Sequence, residues 1–190
     1  LYSLGYRENS QSREDVAGYR DLKSEIEQLS GKINGTFARP GGWVPVWYIY
    51  RSLSRLDLLA YYRAADIALI TPLKDGMNLV AKEYCACSIE EDCVLILSEF
   101  AGAAVQLAKG ALLVNPYDIE GVADAIRQAY QMEAAERHGR MHRLRRQIRE
   151  HDVFWWVDAF LRAAITKKLD AFPLAVDHRD AGEMDFGLPL

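Results

Sequence analysis

The chain has 190 residues, half of them hydrophobic, and a formal net charge of −4 at pH 7. This length favours one domain with a sizeable core, and the negative charge argues against a dedicated nucleic-acid-binding protein. No apolar run reaches the roughly 18 residues of a membrane span, and the first residues lack the apolar core of a signal peptide. Because the chain begins at Leu1 without an initiator methionine, we expect it to be a piece of a longer protein.

The first part of the chain predicts a long helix followed by a short strand. Residues 12–15 (SRED) resemble a helix-capping box, and apolar residues then recur every three or four positions to Ile33. We expect this helix to end around Gly31 to Gly35. Residues 44–50 (VPVWYIY) are strand-like, with Pro45 acceptable only near the start or on an edge. A second capping pattern at residues 54–57 (SRLD) opens the next helix.

From residue 67 onward, apolar strands alternate with helices. Predicted strands are residues 67–71, 94–97 and 112–114; predicted helices are residues 79–87, 103–108, a segment capped by Asp118, and residues 133–169 with a break near 151–152. Such alternation indicates an α/β fold with a Rossmann-like, doubly wound parallel sheet. We assign residues 1–169 to this domain and residues 170–190 to an extended or disordered tail.

The segment between the strand at 67–71 and the following helix is the most informative for function. It places Asp75, Gly76 and Asn78 at a helix N-terminus, where backbone amides point outward and can bind an anion. Glu83 lies one turn into the helix, where its carboxylate can accept hydrogen bonds from sugar hydroxyls. Gly76 permits a positive φ or a close approach of the backbone to a ligand. An ordinary strand–helix turn is the alternative explanation, because Asp-Gly is common in turns.

Other polar residues are weaker candidates. Arg13 lies in the first turn of a predicted helix, where a bound anion would offset the unfavourable interaction of a cation with the helix dipole. A surface arginine paired with Glu14 or Asp15 is the alternative. The arginine-rich residues 137–149 are typical of a solvated helix face. Cys85, Cys87 and Cys93 are typical of buried reduced thiols in a cytoplasmic protein, and we expect no metal site.

Several segments together carry a resemblance to a known family. They are DGMNLVAKEY at residues 75–84, YRAAD at 62–66, LSEFAGAA at 97–104, GKING at 31–35 and LVNPY at 113–117. From about residue 12 to 161 the chain resembles the trehalose-6-phosphate synthase family. These are retaining glucosyltransferases of the GT-B fold, a group that also includes glucosylglycerol-phosphate synthases. The resemblance implies that the chain is the C-terminal, donor-binding Rossmann-like half.

The resemblance also implies a role for individual residues. Asp75, with the backbone of Gly76, Met77 and Asn78, would hold the transferred glucose. The amides of Leu79 and Val80 would meet the donor diphosphate, Glu83 would bind the ribose diol, and Leu53 would lie near the nucleobase. Arg13 would bind the phosphate of the acceptor, so that Asp75 and Arg13 are the catalytic candidates.

The expected reaction moves glucose from UDP-, ADP- or GDP-glucose to glucose 6-phosphate, giving trehalose 6-phosphate without a cofactor or metal. Two alternatives remain open: glycerol 3-phosphate as acceptor, or a non-catalytic module that binds sugar nucleotides. Expected partners are the two substrates and the N-terminal GT-B domain, with self-association open, and neither nucleic acid nor membrane. In the family, a pair of basic residues that neutralises the donor diphosphate and most of the acceptor site lie in that N-terminal domain. We therefore expect no turnover from this chain alone.

Overall fold

The computed structural model describes the backbone of residues 2–4, 17–39 and 41–166, and the side chains of residues 20–39 and 41–162. The chain divides into two compact units, Leu1–Leu58 and Leu59–Leu190. The helix cap predicted at residues 12–15, including Arg13, and the tail predicted at 170–190 lie outside the described residues.

The first unit contains strand β1 (Tyr2–Leu4), helix α1 (Ala17–Phe37) and strand β2 (Trp47–Ile49). The two strands are parallel, with Tyr2 opposite Trp47 and Leu4 opposite Ile49. Strand β1 was not predicted, because three residues are too few to establish an alternating pattern. β2 is shorter than predicted and begins after Pro45, which has no amide to donate to a sheet.

Helix α1 continues past the end predicted around Gly31 to Gly35 and stops at Phe37. Asn34 explains part of this extension: its side chain donates to the carbonyl of Val46 and accepts from the amide of Val46, both at 2.9 Å. Thr36 adds a hydrogen bond from its hydroxyl to the carbonyl of Lys32 at 2.9 Å. These contacts outweigh the low helix propensity of the two glycines, about 1 kcal/mol each.

The second unit has alternating strands and helices. Helix α2 (Arg55–Ala64) comes first along the chain. The elements that follow are β3 (Ile67–Ile70), α3 (Leu79–Cys87), β4 (Val94–Ser98), α4 (Ala103–Leu107), β5 (Leu112–Val114), α5 (Ile119–Gln131), α6 (Ala134–Glu150) and α7 (Val153–Thr166). The three strands form one parallel sheet in the order β3-β4-β5. The break predicted near residues 151–152 separates α6 from α7. The α/β class with a parallel sheet is confirmed.

The central strand β4 organises the core of this unit, and all five of its residues are buried. Val94 and Ile96 pack with Leu112 of β5 and with Ala125 and Ala129 of α5. Leu95 and Leu97 point to the opposite face, since side chains alternate along a strand, and they are fully buried as well. Helices therefore cover both faces, which leaves the carboxyl ends of the strands as the place for ligands. Among the described helices, none is both long and apolar enough to cross a membrane.

Candidate functional site

The turn after β3 is organised by the carboxylate of Asp75. One oxygen, Oδ1, accepts hydrogen bonds from the amides of Met77 (3.1 Å) and Asn78 (2.9 Å). The other, Oδ2, accepts from the side-chain amide of Asn78 at 2.9 Å. Three short-range bonds thus fix the orientation of this carboxylate, while the lone pairs that remain on its oxygens can accept hydrogen bonds from a ligand.

Asn78 is the cap of α3 and has the left-handed backbone conformation, with φ 58° and ψ 73°. Its side-chain oxygen accepts from the amide of Ala81 at 3.0 Å, and the residue is buried. Of the two roles that the sequence allowed for Gly76, a positive φ or a close backbone approach, the turn has its positive φ at Asn78 instead, a residue type that tolerates this region. Gly76 is exposed and has open space beside its Cα, so a ligand can approach its backbone closely.

Two amides at the start of α3 lack an acceptor. Within the part of the chain that the structure describes, the backbone N–H groups of Leu79 and Val80 make no hydrogen bond, whereas those of Asn78 and Ala81 are satisfied by side chains. Such orphan donors carry the positive end of the helix dipole. This helix end is therefore suited to an anionic oxygen.

The loop after β4 contacts the same turn. The amide of Gly102 donates to the carbonyl of Asp75 at 2.8 Å, and Asp75 forms an isolated parallel bridge with Ala101. This contact joins the polar loops that follow the carboxyl ends of β3 and β4. The backbone of Gly76 and Met77 is thereby held against the sheet edge.

Glu83 lies on the exposed surface of α3, four residues after Leu79 and three after Val80, so it shares their side of the helix. The hydroxyl of Tyr62 on α2 donates to its Oε2 at 3.1 Å. Tyr62 is only 6% exposed. The sequence did not predict this contact, because no local pattern connects residues 21 positions apart.

The remaining predicted residues fall elsewhere. Arg13 is outside the described residues. Leu53 lies in the first unit, half-buried in the loop between β2 and α2, next to the cap formed by Ser54 and Asp57. The structure therefore brings together residues 75–80 and Glu83, and Arg13 and Leu53 stay predictions.

The basic residues of α6 form contacts of a different kind. Arg145 is buried and its Nη1 donates to the carbonyls of Cys85 (3.0 Å) and Ala86 (2.7 Å), at the C-terminal end of α3. It is therefore an exception to the solvated face that the sequence predicted. Over the described residues, no group of three or more histidine, cysteine, aspartate or glutamate side chains could hold a metal ion.

Comparison with known proteins identifies one family. The family described as glycosyltransferase family 20 matches residues 8–166. The trehalose-6-phosphate synthase of Mycobacterium leprae is 49% identical over 152 residues, which cover 80% of this chain and 30% of that protein. The protein of the same name from Mycobacterium sp. (strain KMS) is 46% identical over 163 residues, 86% of this chain and 33% of its own. The chain thus spans about a third of the length of the curated relatives it matches.

Solved structures agree with this assignment. An α,α-trehalose-phosphate synthase (UDP-forming) from Burkholderia xenovorans, in complex with glucose-6-phosphate, has a TM-score of 0.74 and 46% identity over 80% of this chain and 33% of its own. An E. coli structure described as bound with UDP-2-fluoro glucose has a TM-score of 0.75 and 42% identity, again over 80% of this chain and 33% of its own.

Proposed function

The chain belongs to glycosyltransferase family 20, and we propose that it forms the donor-binding half of a retaining glucosyltransferase of the GT-B fold. The proposed complete enzyme transfers glucose from a nucleoside-diphosphate glucose to glucose 6-phosphate and releases trehalose 6-phosphate. The names of the relatives support this acceptor over glycerol 3-phosphate, and UDP-glucose is the donor that the Burkholderia and E. coli structures favour. The proposed reaction uses neither a cofactor nor a metal ion.

One observation carries the proposal: the two unpaired amides of Leu79 and Val80 lie one helical turn from the carboxylate of Glu83. A diphosphate needs donors and positive potential, which the helix N-terminus provides. A ribose needs an acceptor for its two hydroxyls, which Glu83 provides. The spacing of one turn, about 5.4 Å, suits the adjoining diphosphate and ribose of a sugar nucleotide.

The transferred glucose is assigned to the turn that precedes α3. The carboxylate of Asp75 and the exposed backbone of Gly76 are the proposed contacts, with the backbone of Met77 and Asn78 beside them. The amides of Met77 and Asn78 already donate to Asp75, so we assign them to holding this carboxylate toward the sugar hydroxyls.

The chemistry proposed for this site involves no protein nucleophile. Three hydrogen bonds orient the Asp75 carboxylate, which suits an acceptor of sugar hydroxyls better than a group that must bond to the anomeric carbon. An acceptor hydroxyl instead attacks from the side on which the diphosphate leaves. The bond between the anomeric carbon and the phosphate oxygen breaks, and the hydroxyl proton passes to the departing diphosphate.

Typical free-energy contributions indicate that this half of the enzyme is not sufficient for turnover. A helix N-terminus stabilises a bound anion by at most about 2 kcal/mol, and one well-placed donor lowers a transition state by about 3–4 kcal/mol. Enzymes typically lower their barriers by at least about 8 kcal/mol. We therefore assign the remainder to the family's N-terminal half with its basic pair, to Arg13 at the acceptor phosphate, and to Leu53 at the nucleobase.

The test uses the full-length protein that contains this chain. It is incubated with UDP-, ADP- or GDP-glucose and with glucose 6-phosphate or glycerol 3-phosphate, and products are identified by phosphorus NMR and mass spectrometry. We expect trehalose 6-phosphate with the α configuration retained. Transfer to glycerol 3-phosphate alone would reassign the acceptor, and donor binding without any transfer would indicate a non-catalytic module.

A further inference from the structure

We propose that Tyr62 is a positioning residue for the donor, which makes the enzyme discriminate ribose from 2′-deoxyribose through Glu83. This inference rests on the proposed function, since it assigns Glu83 to the ribose diol. Tyr62 does not itself contact the nucleotide in this proposal. It acts by fixing the carboxylate that does.

A single side-chain hydrogen bond connects the two residues. The hydroxyl of Tyr62 lies 3.1 Å from Oε2 of Glu83, in a partly buried setting. Among the described residues, the carboxylate of Glu83 has no other hydrogen-bond partner. The side chain would otherwise rotate freely on the exposed face of α3, and a flexible glutamate loses rotamer entropy when it binds a ligand. A carboxylate that is already oriented avoids most of that loss.

Tyr62 itself is held rigidly. Its ring is 6% exposed and meets the ring of Tyr84 edge-on, with centroids 6.4 Å apart and planes at 78°. Tyr84 is in turn 1% exposed and donates its hydroxyl to the carbonyl of Ala65 at 3.0 Å. The hydroxyl of Tyr62 is therefore presented to α3 from a fixed support.

The charge of the site explains why such a restraint is useful. The diphosphate subsite at Leu79 and Val80 lies one turn from Glu83 on the same side of α3. A mobile carboxylate could swing toward those amides, where it would compete with the donor for them and repel its phosphates. The hydrogen bond to Tyr62 keeps the carboxylate one turn away, where it can accept the vicinal hydroxyls of a ribose. A 2′-deoxyribose lacks one of these hydroxyls and therefore one of the hydrogen bonds that the oriented carboxylate of Glu83 can accept.

The test compares UDP-glucose with its 2′-deoxyribose analogue in the full-length protein. Dissociation constants are measured by calorimetry for the wild type, Tyr62→Phe, Glu83→Ala and the double variant, and kcat and KM are measured alongside. Phenylalanine keeps the ring that packs against Tyr84, and thermal unfolding verifies that the fold survives. Tyr130→Phe is the matched control, because Tyr130 lies on α5 with 81% of its surface exposed.

We expect Tyr62→Phe to weaken binding of UDP-glucose by about tenfold, the usual scale for a lost hydrogen bond to a charged group. Binding of the 2′-deoxy analogue should change much less, kcat should change less than KM, and Tyr62→Phe should have no further effect once Glu83 is alanine. Equal losses for both donors, or additive effects in the double variant, would overturn the role of Tyr62. If the wild type binds UDP-glucose but transfers no glucose, the proposed activity is refuted. The comparison of dissociation constants for the two donors still decides the role of Tyr62 in that case. A wild type that binds neither donor would overturn both.

Discussion

Gly102 and Gly76 approach each other so closely that Gly102 has no room for a side chain. A Cβ atom built on Gly102 would lie 2.0 Å from the carbonyl oxygen of Gly76 and 3.1 Å from the amide nitrogen of Met77. Both neighbours are backbone atoms, which cannot rotate away as a flexible side chain could. The loop after β4 therefore determines where the turn that holds Asp75 can lie.

Gly102→Ala should displace this turn. We expect the free energy of unfolding to fall by about 1–3 kcal/mol, as for other overpacked sites, and KM for the nucleotide sugar to rise. Urea denaturation and donor kinetics of the full-length protein measure both effects. Gly35→Ala is the control: it lies within α1 with open space around it, so alanine should stabilise by up to about 1 kcal/mol. Unchanged stability and donor affinity in Gly102→Ala would contradict the steric argument.

Substitutions of Asn78 separate its backbone conformation from its hydrogen bonds. Asn78→Gly keeps the left-handed conformation but removes the bonds to Ala81 and Asp75, whereas Asn78→Ala also introduces backbone strain. We expect alanine to be less stable than glycine by about 1 kcal/mol in urea denaturation, with donor affinity reduced in both. If the two variants are equally stable, the positive φ of Asn78 contributes nothing.

The sequence predicted those elements of the second unit whose ends carry local signals. The bounds of α3 (Leu79–Cys87) and β5 (Leu112–Val114) agree with the prediction, because a cap at Asn78 and a proline at 116 mark them. The apolar run at residues 94–97 likewise predicted β4, whose five residues are all buried. A signal that depends on a few neighbouring residues is readable without knowledge of the fold.

Contacts within the site, and those that support α3 from α6, depend on residues far apart in the chain. The hydrogen bond from Tyr62 to Glu83 spans 21 positions, and the bond from Arg145 to the carbonyl of Cys85 spans 60. No periodicity or motif encodes such pairs. The run of arginines therefore predicted only a solvated face, although Arg145 is buried. The tight approach at Gly102 is likewise visible only once the two loops are placed together.

Glu91 should make stability depend on pH in the acid range. Its partial burial would raise the pKa of its carboxyl, but the hydrogen bond with His142 and the charges of His142, Arg145 and His138 lower the pKa below its ordinary value of 4.5. One oxygen lies 3.0 Å from Nδ1 of His142, and the other lies 3.2 Å from Nε of Arg145, which is not aligned for a hydrogen bond.

A lowered pKa in the folded state means that Glu91 stabilises the fold above its ordinary pKa and loses this contribution as the pH falls through the folded value. Stability of the wild type should therefore decrease as the pH falls below about 4.5. Glu91→Gln should have a shallower decrease over that range in urea denaturation, and His142→Asn an intermediate one. Parallel pH profiles for Glu91→Gln and the wild type would show that Glu91 is not responsible.

Arg13→Ala tests the acceptor side of the proposed reaction. If the guanidinium of Arg13 binds the phosphate of glucose 6-phosphate, its removal eliminates a charge-assisted interaction and should raise KM for that acceptor by about tenfold or more. KM for the nucleotide sugar should change little, because the proposed donor site is at the start of α3. Initial-rate kinetics of the full-length protein, with each substrate varied in turn, measure the two constants.

Arg20→Ala, at an exposed arginine of α1, is the control for loss of a positive charge. An equal rise in both constants would indicate that Arg13 supports the fold, since a residue that binds only the acceptor phosphate has no reason to weaken the donor.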